Sequence, residues 1–462
     1  MKFKFVLLLL QLACIHKMAA QDSSQTYSFS AEQAVAFAMQ NSVNVQNALL
    51  DIDIAKKKIS ELTGIGLPQI TAQGDLKYYA KAPIVLFPNF GKVVYDILAA
   101  EQLLSNAPPD LPGSVPATFF TKYVATGSIS ASQLIFDGTY IIGLKASHKY
   151  KELTAKTAEQ VKIETSATIR KSYYNVLVSR ERAKILVSNI NRLQKLFSET
   201  EAMYKEGFVE EIDKKRLEVS LNNLKTEKEN IDRMLLLGEY VLKFQMGMDV
   251  NDSIILTDEL TDDDLSNYSS SLQNVNVNNR IEYQVLLTTR ELQKLNVKRN
   301  QYAYLPNIVA YGSWQGQALR NEFDIFDTKQ KWYPTGIIGG SINLPIFDGF
   351  QKRARISQEK LTLKKLDNGI KQFENASGLE NMTAKINLQN ALASLETQKK
   401  NKELAEEVLN VTRIKYNEGV GSNIEVVNAE AAVQEASSNY FNALYNAIVS
   451  KIDLDKSIGA IK

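Results

Sequence analysis

The sequence predicts a mixed α/β membrane protein in which pairs of short strands alternate with very long helices. Three observations support this fold class. Short motifs occur twice in the same order, which indicates an internal tandem duplication. Short segments alternate apolar and polar side chains, as strands with one apolar face do. Long stretches without proline carry apolar residues at three- and four-residue steps, as packed helices do.

The duplication is marked by three motifs. Each copy contains a Leu-Pro-x-Ile motif, then Ile-Phe-Asp-Gly, then Tyr-x-Glu-Gly. Because matching motifs in matching order are hard to obtain by chance, we predict structural repeats over residues 21–262 and 263–462. Each repeat should contain a helix, two strands joined by a loop, and a long helical hairpin. The motifs begin at Leu67, Ile135 and Tyr204 in the first repeat and at Leu305, Ile346 and Tyr416 in the second.

The predicted strands have one apolar and one polar face. Between Gln69 and Ala80, Ile70 and Leu76 fall on one face and polar residues on the other. The segment from Ile338 to Ile346 alternates in the same way. Such alternation is a weak signature of outer-membrane barrel strands, and it also fits a half-buried sheet in a soluble protein.

The predicted helices favour the membrane interpretation. Opening helices are expected at about residues 31–62 and 279–302, and long ones at about 139–204 and 350–416. A helix of about 65 residues is about 100 Å long and must bury its apolar stripe against neighbours. Two repeats supply four strands, which are too few to close a barrel in lipid. Several chains must therefore pool their strands into an oligomeric barrel attached to a long helical tube.

The first twenty residues are expected to be a cleaved secretory signal, because a short apolar run follows a basic start. Cys14, the only cysteine, loosely suggests a lipidation site, and a small apolar residue discarded with the signal is the alternative. Past this segment the sequence contains no apolar run long enough for a membrane-spanning helix. A membrane crossing would then require strands in a closed barrel.

Composition and motifs argue against several function classes. The formal net charge is +2, so there is no basic footprint for nucleic acid. After the predicted signal the only histidine is His148, expected on a helix surface. No phosphate-binding loop or nucleophile elbow is present, so we expect no enzyme, cofactor or metal site. A soluble periplasmic coiled-coil adaptor or scaffold remains an alternative, since that class also has long hairpins.

The ordered, duplicated motifs resemble the TolC-like outer-membrane efflux protein family over nearly the whole mature chain. The resemblance implies a homotrimer in which each chain gives four strands to a twelve-stranded barrel in outer-membrane lipid. It also implies a helical tunnel through the periplasm of a Gram-negative bacterium. Such channels are passive. They receive substrates from an inner-membrane pump or ABC transporter through a periplasmic adaptor protein, in efflux or type I secretion.

The resemblance also assigns roles along the chain. Residues 79–118, rich in proline, become an extracellular loop expected to be irregular, and it could either plug the barrel or extend outside. The breaks at Gly207 and Gly419 become the periplasmic tips, where the pore narrows. The strand–helix junctions fall at Asp137 and Gly138 in the first repeat and at Asp348 and Gly349 in the second.

The predicted pore constriction lies at the tips. Tyr416 and Asp213 fall on a tyrosine and an aspartate of the family's closing hydrogen-bond network. Glu425 and Asn428 fall on two positions of acidic rings, and only Glu425 keeps the charge. Gly421 replaces an arginine that closes some members. A ring of carboxylates in a narrow pore would attract cations, whereas the alternative is that these are solvated charges at helix ends.

Overall fold

The computed structural model describes most of the chain. The predicted signal segment, Cys14 and most of the predicted boundary between the repeats lie outside the described residues. Within the described part, no helix has an apolar stretch long enough to cross a bilayer. The described residues are 26–103, 111–118, 120–260 and 276–461.

In the described residues, eight strands form three sheets. The largest sheet is antiparallel throughout and has the strand order β2-β5-β7-β8. Its two end strands, β2 and β8, each pair on one side only. The strands are β1 Thr26–Phe29, β2 Gln69–Tyr78, β3 Val85–Pro88, β4 Ser114–Ala117, β5 Tyr123–Phe136, β6 Ser253–Leu256, β7 Asn307–Arg320 and β8 Tyr333–Asn343.

Eight α-helices account for most of the part of the chain that the structure describes. A short 3₁₀ helix, Val277–Asn279, precedes the sixth of them. The helices are α1 Ala31–Asn41, α2 Val43–Ile65, α3 Phe90–Ala100, α4 Gly138–Lys205, α5 Glu211–Met246, α6 Ile281–Tyr302, α7 Gln351–Asn417 and α8 Asn423–Ser457.

The chain divides into two compact units, and each takes segments from both predicted repeats. The helical unit comprises residues 1–56, 149–293 and 361–462. The sheet unit comprises residues 57–148 and 294–360, including the four-stranded sheet.

The predicted strands and long helices agree with the structure to within a few residues. One difference lies in the first predicted helix, which is two helices because the backbone of Ser42 is extended. The last predicted strand ends at Asn343 rather than at Ile346. The backbone beyond Asn343 leaves the sheet before α7 begins.

The expectation of an irregular loop over residues 79–118 was wrong. Strands β3 and β4 pair antiparallel there, and α3 lies between them in the chain. Prolines are tolerated because Pro88 and Pro116 lie in an isolated two-stranded ribbon, where a missing N–H is not needed by a third strand. The Asn89 side chain caps α3 by accepting a hydrogen bond from the Lys92 N–H at 3.2 Å.

The core of the helical unit follows the predicted stripe of α4. Ile169, Tyr173 and Leu193 are fully or almost fully buried, as three- and four-residue spacing requires. The Tyr173 hydroxyl donates to the Phe29 carbonyl at 2.9 Å. Burial raises the pKa of Tyr173 to about 12. The stripe therefore anchors the start of the chain as well as the hairpins.

A parallel pair of four-residue strands, β1 and β6, was not predicted from the sequence. Phe29, Ile254 and Leu256 on these strands are buried in the same cluster as Ile169 and Tyr173. Because the two strands are so short and so far apart in sequence, no local pattern indicates their pairing.

Candidate functional site: the helix-hairpin tips

The first hairpin turn, between α4 and α5, ends a helix in a left-handed glycine. Gly207 has φ of +80°, a conformation that costs glycine little. Its N–H donates to the Tyr204 carbonyl at 3.0 Å, and the Phe208 N–H donates to the Met203 carbonyl at 2.9 Å. This pair of bonds is a Schellman cap, which satisfies carbonyls left free at a helix end.

The second turn, between α7 and α8, repeats this geometry. Gly419 has φ of +75°, and its N–H donates to the Tyr416 carbonyl at 3.0 Å. The N–H groups of Val420 and Gly421 both donate to the Lys415 carbonyl at 3.0 Å. Both predicted tip glycines thus occupy the turns of two equivalent hairpins.

Gly421 leaves no room for a side chain. A Cβ atom there would lie 2.9 Å from the Tyr416 nitrogen and 3.1 Å from the Lys415 carbonyl carbon. Both atoms belong to backbone and cannot move aside without shifting the turn. The arginine that the family pattern has at this position is therefore sterically incompatible with this backbone.

The predicted closing pair, Tyr416 and Asp213, is not hydrogen-bonded within one chain. The Tyr416 hydroxyl lies 3.3 Å from the hydroxyl of buried Thr200. Asp213 forms a 3.8 Å ion pair with Arg216, and its carbonyl accepts a 3.5 Å hydrogen bond from the Asn423 side chain. A contact between Tyr416 and Asp213 of different copies stays a prediction.

Asn423 is a tip residue that sequence reasoning missed. It begins α8, is buried, and joins that helix to the start of α5 through Asp213. Its side-chain oxygen has no hydrogen-bond partner among the described residues. The available signal was the Ser-x-x-Glu pattern from Ser422 to Glu425, which marks a helix N-terminus. Ser422 indeed caps α8 by accepting the Glu425 N–H at 3.4 Å.

Glu425 and Asn428 lie three residues apart on the exposed side of α8. The opposite side of the helix packs into the cluster at the tips through Val426, Ala429 and Val433. Among the described residues, no side chain forms an ion pair with the Glu425 carboxylate. This carboxylate is therefore available to whatever lies beyond the exposed side of α8.

At the first tip, unlike at Glu425, two acidic side chains form ion pairs with lysines. Glu201 lies 2.8 Å from Lys214, and Glu211 lies 2.9 Å from Lys215. The hydrogen bond from Lys214 lowers the pKa of Glu201, and that from Lys215 lowers the pKa of Glu211. These charges fit the interpretation as solvated helix-end pairs better than an acidic ring.

Behind the tips, an ion pair joins the two hairpins. Both Glu430 carboxylate oxygens lie 3.1 Å from the Arg192 Nε, and the Glu430 side chain is only 7% exposed. Arg192 also donates to Asn189 and to Ser188. The pair was missed, although Glu430 follows Val426 and Ala429 on an apolar helix face, where a charge is a recognisable exception.

The strand–helix junction of the first half is an N-cap. The Asp137 carboxylate accepts the Tyr140 N–H at 2.9 Å and the Thr139 hydroxyl at 2.5 Å, at the start of α4. It also accepts the Asn307 amide of β7 at 2.8 Å. Burial raises the pKa of Asp137, but these hydrogen bonds together outweigh it, so the pKa lies below its ordinary value.

The junction of the second half has the same cap and a different use of glycine. Asp348 accepts the Lys352 N–H at 2.9 Å. Gly349 has φ of +62°, whereas Gly138 is required by space, since a Cβ there would lie 3.0 Å from the Tyr302 carbonyl oxygen. In the first half the Phe-Asp-Gly motif joins the end of β5 directly to the start of α4. In the second half the motif lies between the end of β8 at Asn343 and the start of α7 at Gln351.

Among the described residues, no cluster of three or more His, Cys, Asp or Glu side chains could hold a metal ion. His148 is exposed on α4. The geometry described above consists of helix caps, tight turns and charges, and it offers no arrangement of nucleophile, base and oxyanion donors.

Comparison with known proteins identifies the relationship. Residues 288–460 match the profile of the family described as outer membrane efflux protein. Over these residues the chain is similar to outer membrane efflux proteins. This confirms the resemblance predicted from the sequence. The match agrees with the expectations of an outer-membrane location and of a channel rather than an enzyme.

The matched proteins are distant in sequence, and those with solved structures are similar in fold. Nodulation protein T of Rhizobium leguminosarum bv. trifolii is 19% identical over 419 residues, which cover 87% of this chain and 79% of that protein. The outer membrane protein VceC of Vibrio cholerae superposes with a TM-score of 0.66 at 15% identity. The alignment covers 93% of this chain and 96% of VceC.

Two further channels have the same fold. The Campylobacter jejuni CmeC outer membrane channel has a TM-score of 0.65 at 16% identity, covering 93% of this chain and 85% of CmeC. CusC has a TM-score of 0.69 at 14% identity, and the alignment covers 93% of this chain and 92% of CusC. These likenesses confirm the helix-rich mixed α/β fold. The trimer, the twelve-stranded barrel and the duplication stay predictions.

Proposed function

We propose that the chain is the channel component of a tripartite efflux or type I secretion system. Three copies pool their strands into a twelve-stranded barrel in outer-membrane lipid, and their helices form the exit duct. An inner-membrane pump or ABC transporter delivers substrates through a periplasmic adaptor. Each chain contributes two repeats, residues 21–262 and 263–462.

The observation that carries this proposal is the incomplete four-stranded sheet. Strands β2 and β8 each leave one edge unpaired among the residues that the structure describes. An exposed edge is not tolerated in lipid, and a four-stranded sheet cannot close on itself. Edge-to-edge pairing of several copies removes every free edge and also joins their helical hairpins into one ring.

The tips support a constriction at the periplasmic end. Gly207 and Gly419 build equivalent turns, and Glu425 presents an unpaired carboxylate on the exposed side of α8. In a threefold ring such a carboxylate would be repeated three times around the pore and would favour cations. Asn428, on the same side, would narrow the pore without adding charge. Contacts between Tyr416 and Asp213 of neighbouring copies would close it.

Single-channel recording in planar bilayers tests the pore assignment. Glu425→Gln is expected to lower the cation-over-anion permeability ratio about twofold or more, because it removes a full charge from each copy. Glu407→Gln, which removes an exposed carboxylate from α7 ten residues before that helix ends at Asn417, is the control and should leave the ratio unchanged. An unchanged ratio in Glu425→Gln would remove this residue from the pore.

Cell fractionation tests the channel itself. The protein should be recovered as a detergent-extracted oligomer from the outer membrane. Recovery in the soluble periplasm would favour a coiled-coil adaptor instead.

A further inference from the structure

One face of the four-stranded sheet is apolar, and a row of three paired glycines crosses it. Gly74 of β2 pairs with Gly127 of β5, and Gly127 pairs with Gly316 of β7. Pro334 of β8 completes the row. Directly paired residues project to the same face of a sheet. The three glycines therefore lie side by side and form the floor of a trough that runs across the strands.

The trough is open above its floor. A Cβ atom at Gly74 or Gly127 would meet nothing within 4 Å, so no neighbouring side chain fills the space. At Gly316 a Cβ would lie 3.3 Å from the ring of Trp332. The open space within the trough measures about 550 Å³.

The walls of the trough are aromatic and aliphatic. Trp314 and Trp332, the only two tryptophans of the sequence, both line it, and they are 58% and 42% exposed. Ile129 and Ala72 line it beside them. No Asp, Glu, Lys or Arg contributes to the lining. Gln73 and Ser128 are the only polar residues of the lining and neither is charged, so a ligand held here gains mainly from apolar contact.

The rest of the same face is also apolar and uncovered. Ile70, Leu76 and Ile338 project to it and are more than half exposed. The opposite face carries Gln73, Ser128 and other polar side chains. For an outer-membrane protein, the solvent that matches such an apolar face is the hydrocarbon of the bilayer. The trough is then continuous with a surface that lipid chains cover.

We propose that this trough binds one hydrocarbon chain of an outer-membrane lipid, seated over the glycine row between Trp314 and Trp332. The proposal rests on the proposed function only in requiring that the apolar face of the sheet lies toward the bilayer. A row of glycines weakens strands, since glycine loses the most entropy on folding and packs no side chain. The glycines leave space in which a lipid chain can bind, and larger side chains at the same positions would fill that space.

Fluorescence quenching by brominated lipid tests the proposal on the full-length protein, because both tryptophans report on the trough. The protein is reconstituted into phosphatidylcholine vesicles with a rising fraction of lipids that carry bromine on the acyl chain. A binding site predicts quenching that saturates at a low brominated fraction. The variants Trp314→Phe and Trp332→Phe, measured separately, should each retain saturable quenching.

Filling the trough provides the decisive comparison. Gly127→Val should raise the half-saturating brominated fraction about tenfold, which is the effect of a clear loss of affinity. Gly340→Val is the matched control, because it adds the same side chain to the same face outside the trough, with only ordinary contacts nearby. Gly74→Val, also built into open space, replaces Gly127→Val if that variant does not assemble.

The outcomes separate the two proposals. Quenching proportional to the brominated fraction and equal in wild type and Gly127→Val would overturn the binding site while leaving the sheet in the bilayer. Absence of quenching in reconstituted protein would overturn both the site and the proposed barrel. Saturable quenching that Gly127→Val weakens and Gly340→Val does not would support the site.

Discussion

At the scale of single residues, the tips and junctions depend on glycines and on capping carboxylates. Gly207 and Gly419 adopt the left-handed backbone conformation that their turns need. At Gly421 and Gly138 glycine is required because a Cβ atom would lie too close to backbone atoms. The sequence alone does not separate these two reasons, since both appear as a glycine beside a helix. The distinction follows from which atoms lie next to each position.

Replacing Gly421 by alanine is expected to destabilise the tip by about 1–3 kcal/mol, because the new Cβ forces the turn apart. Gly369→Ala is the control, since position 369 lies inside α7 with nothing near its Cβ. That change should stabilise the helix by up to about 1 kcal/mol. Thermal unfolding of the helical circular-dichroism signal in detergent measures both. Equal shifts would contradict the steric account of Gly421.

The cap at Asp137 should make stability depend on pH. Its pKa is lowered in the folded protein, so its contribution is present above the unfolded value of 3.8 and is lost as pH falls through the folded pKa. Asp137→Ala should therefore cost about 0.5–2 kcal/mol at neutral pH.

Unfolding measured across pH checks this prediction. The difference between wild type and Asp137→Ala should shrink as pH falls below the unfolded value. Asp51→Ala, which removes an exposed carboxylate from α2, is the control and should show little difference at any pH. A constant penalty for Asp137→Ala down to the lowest pH would mean that the ionised carboxylate is not what stabilises α4.

At the scale of elements, the long helices and the strands of the largest sheet were predictable from the sequence. The secondary structure within residues 79–118 was not. A stripe repeated over tens of residues predicts a helix because every turn supports the same packing face. Residues 79–118 contain several prolines, which indicated a loop, yet β3, α3 and β4 form there because tertiary contacts override local signals. The contact between Arg192 and Glu430 was equally invisible, since 238 residues separate its partners.

The ion pair between Arg192 and Glu430 should matter more than an ordinary surface pair. Removing Arg192 leaves the nearly buried Glu430 carboxylate uncompensated, so Arg192→Ala is expected to cost about 3 kcal/mol. Arg233→Ala, which removes an exposed partner of Glu229, should change stability by less than about 0.5 kcal/mol. Thermal unfolding in detergent compares them.

A second variant tests whether charge burial is the reason. Arg192→Met combined with Glu430→Met should recover most of the loss, because no unpaired charge remains. If the double variant is as unstable as Arg192→Ala, shape rather than charge determines the packing of the two hairpins.

At the scale of the whole molecule, we propose that a single chain is incomplete. The sheet of the sheet unit has two free edges, and much of its apolar face is exposed. The four strands of the largest sheet could be predicted from the duplicated motifs, whereas the other four strands could not. The proposal that several copies pool their strands follows from those four. In the proposed assembly, the sequence of one chain does not by itself show which edge strands of neighbouring copies pair with each other.

The most direct measurement of the central claim is disulfide cross-linking between edge strands. Cys14 is the only native cysteine and precedes the described residues, so a cysteine at Thr71 of β2 can be combined with one at alternate positions of β8. If β2 of one copy pairs with β8 of the next, at least one combination should yield a covalent ladder ending at three chains. Failure of every combination to link separate chains, in protein extracted from the outer membrane, would contradict a barrel built by pooling strands.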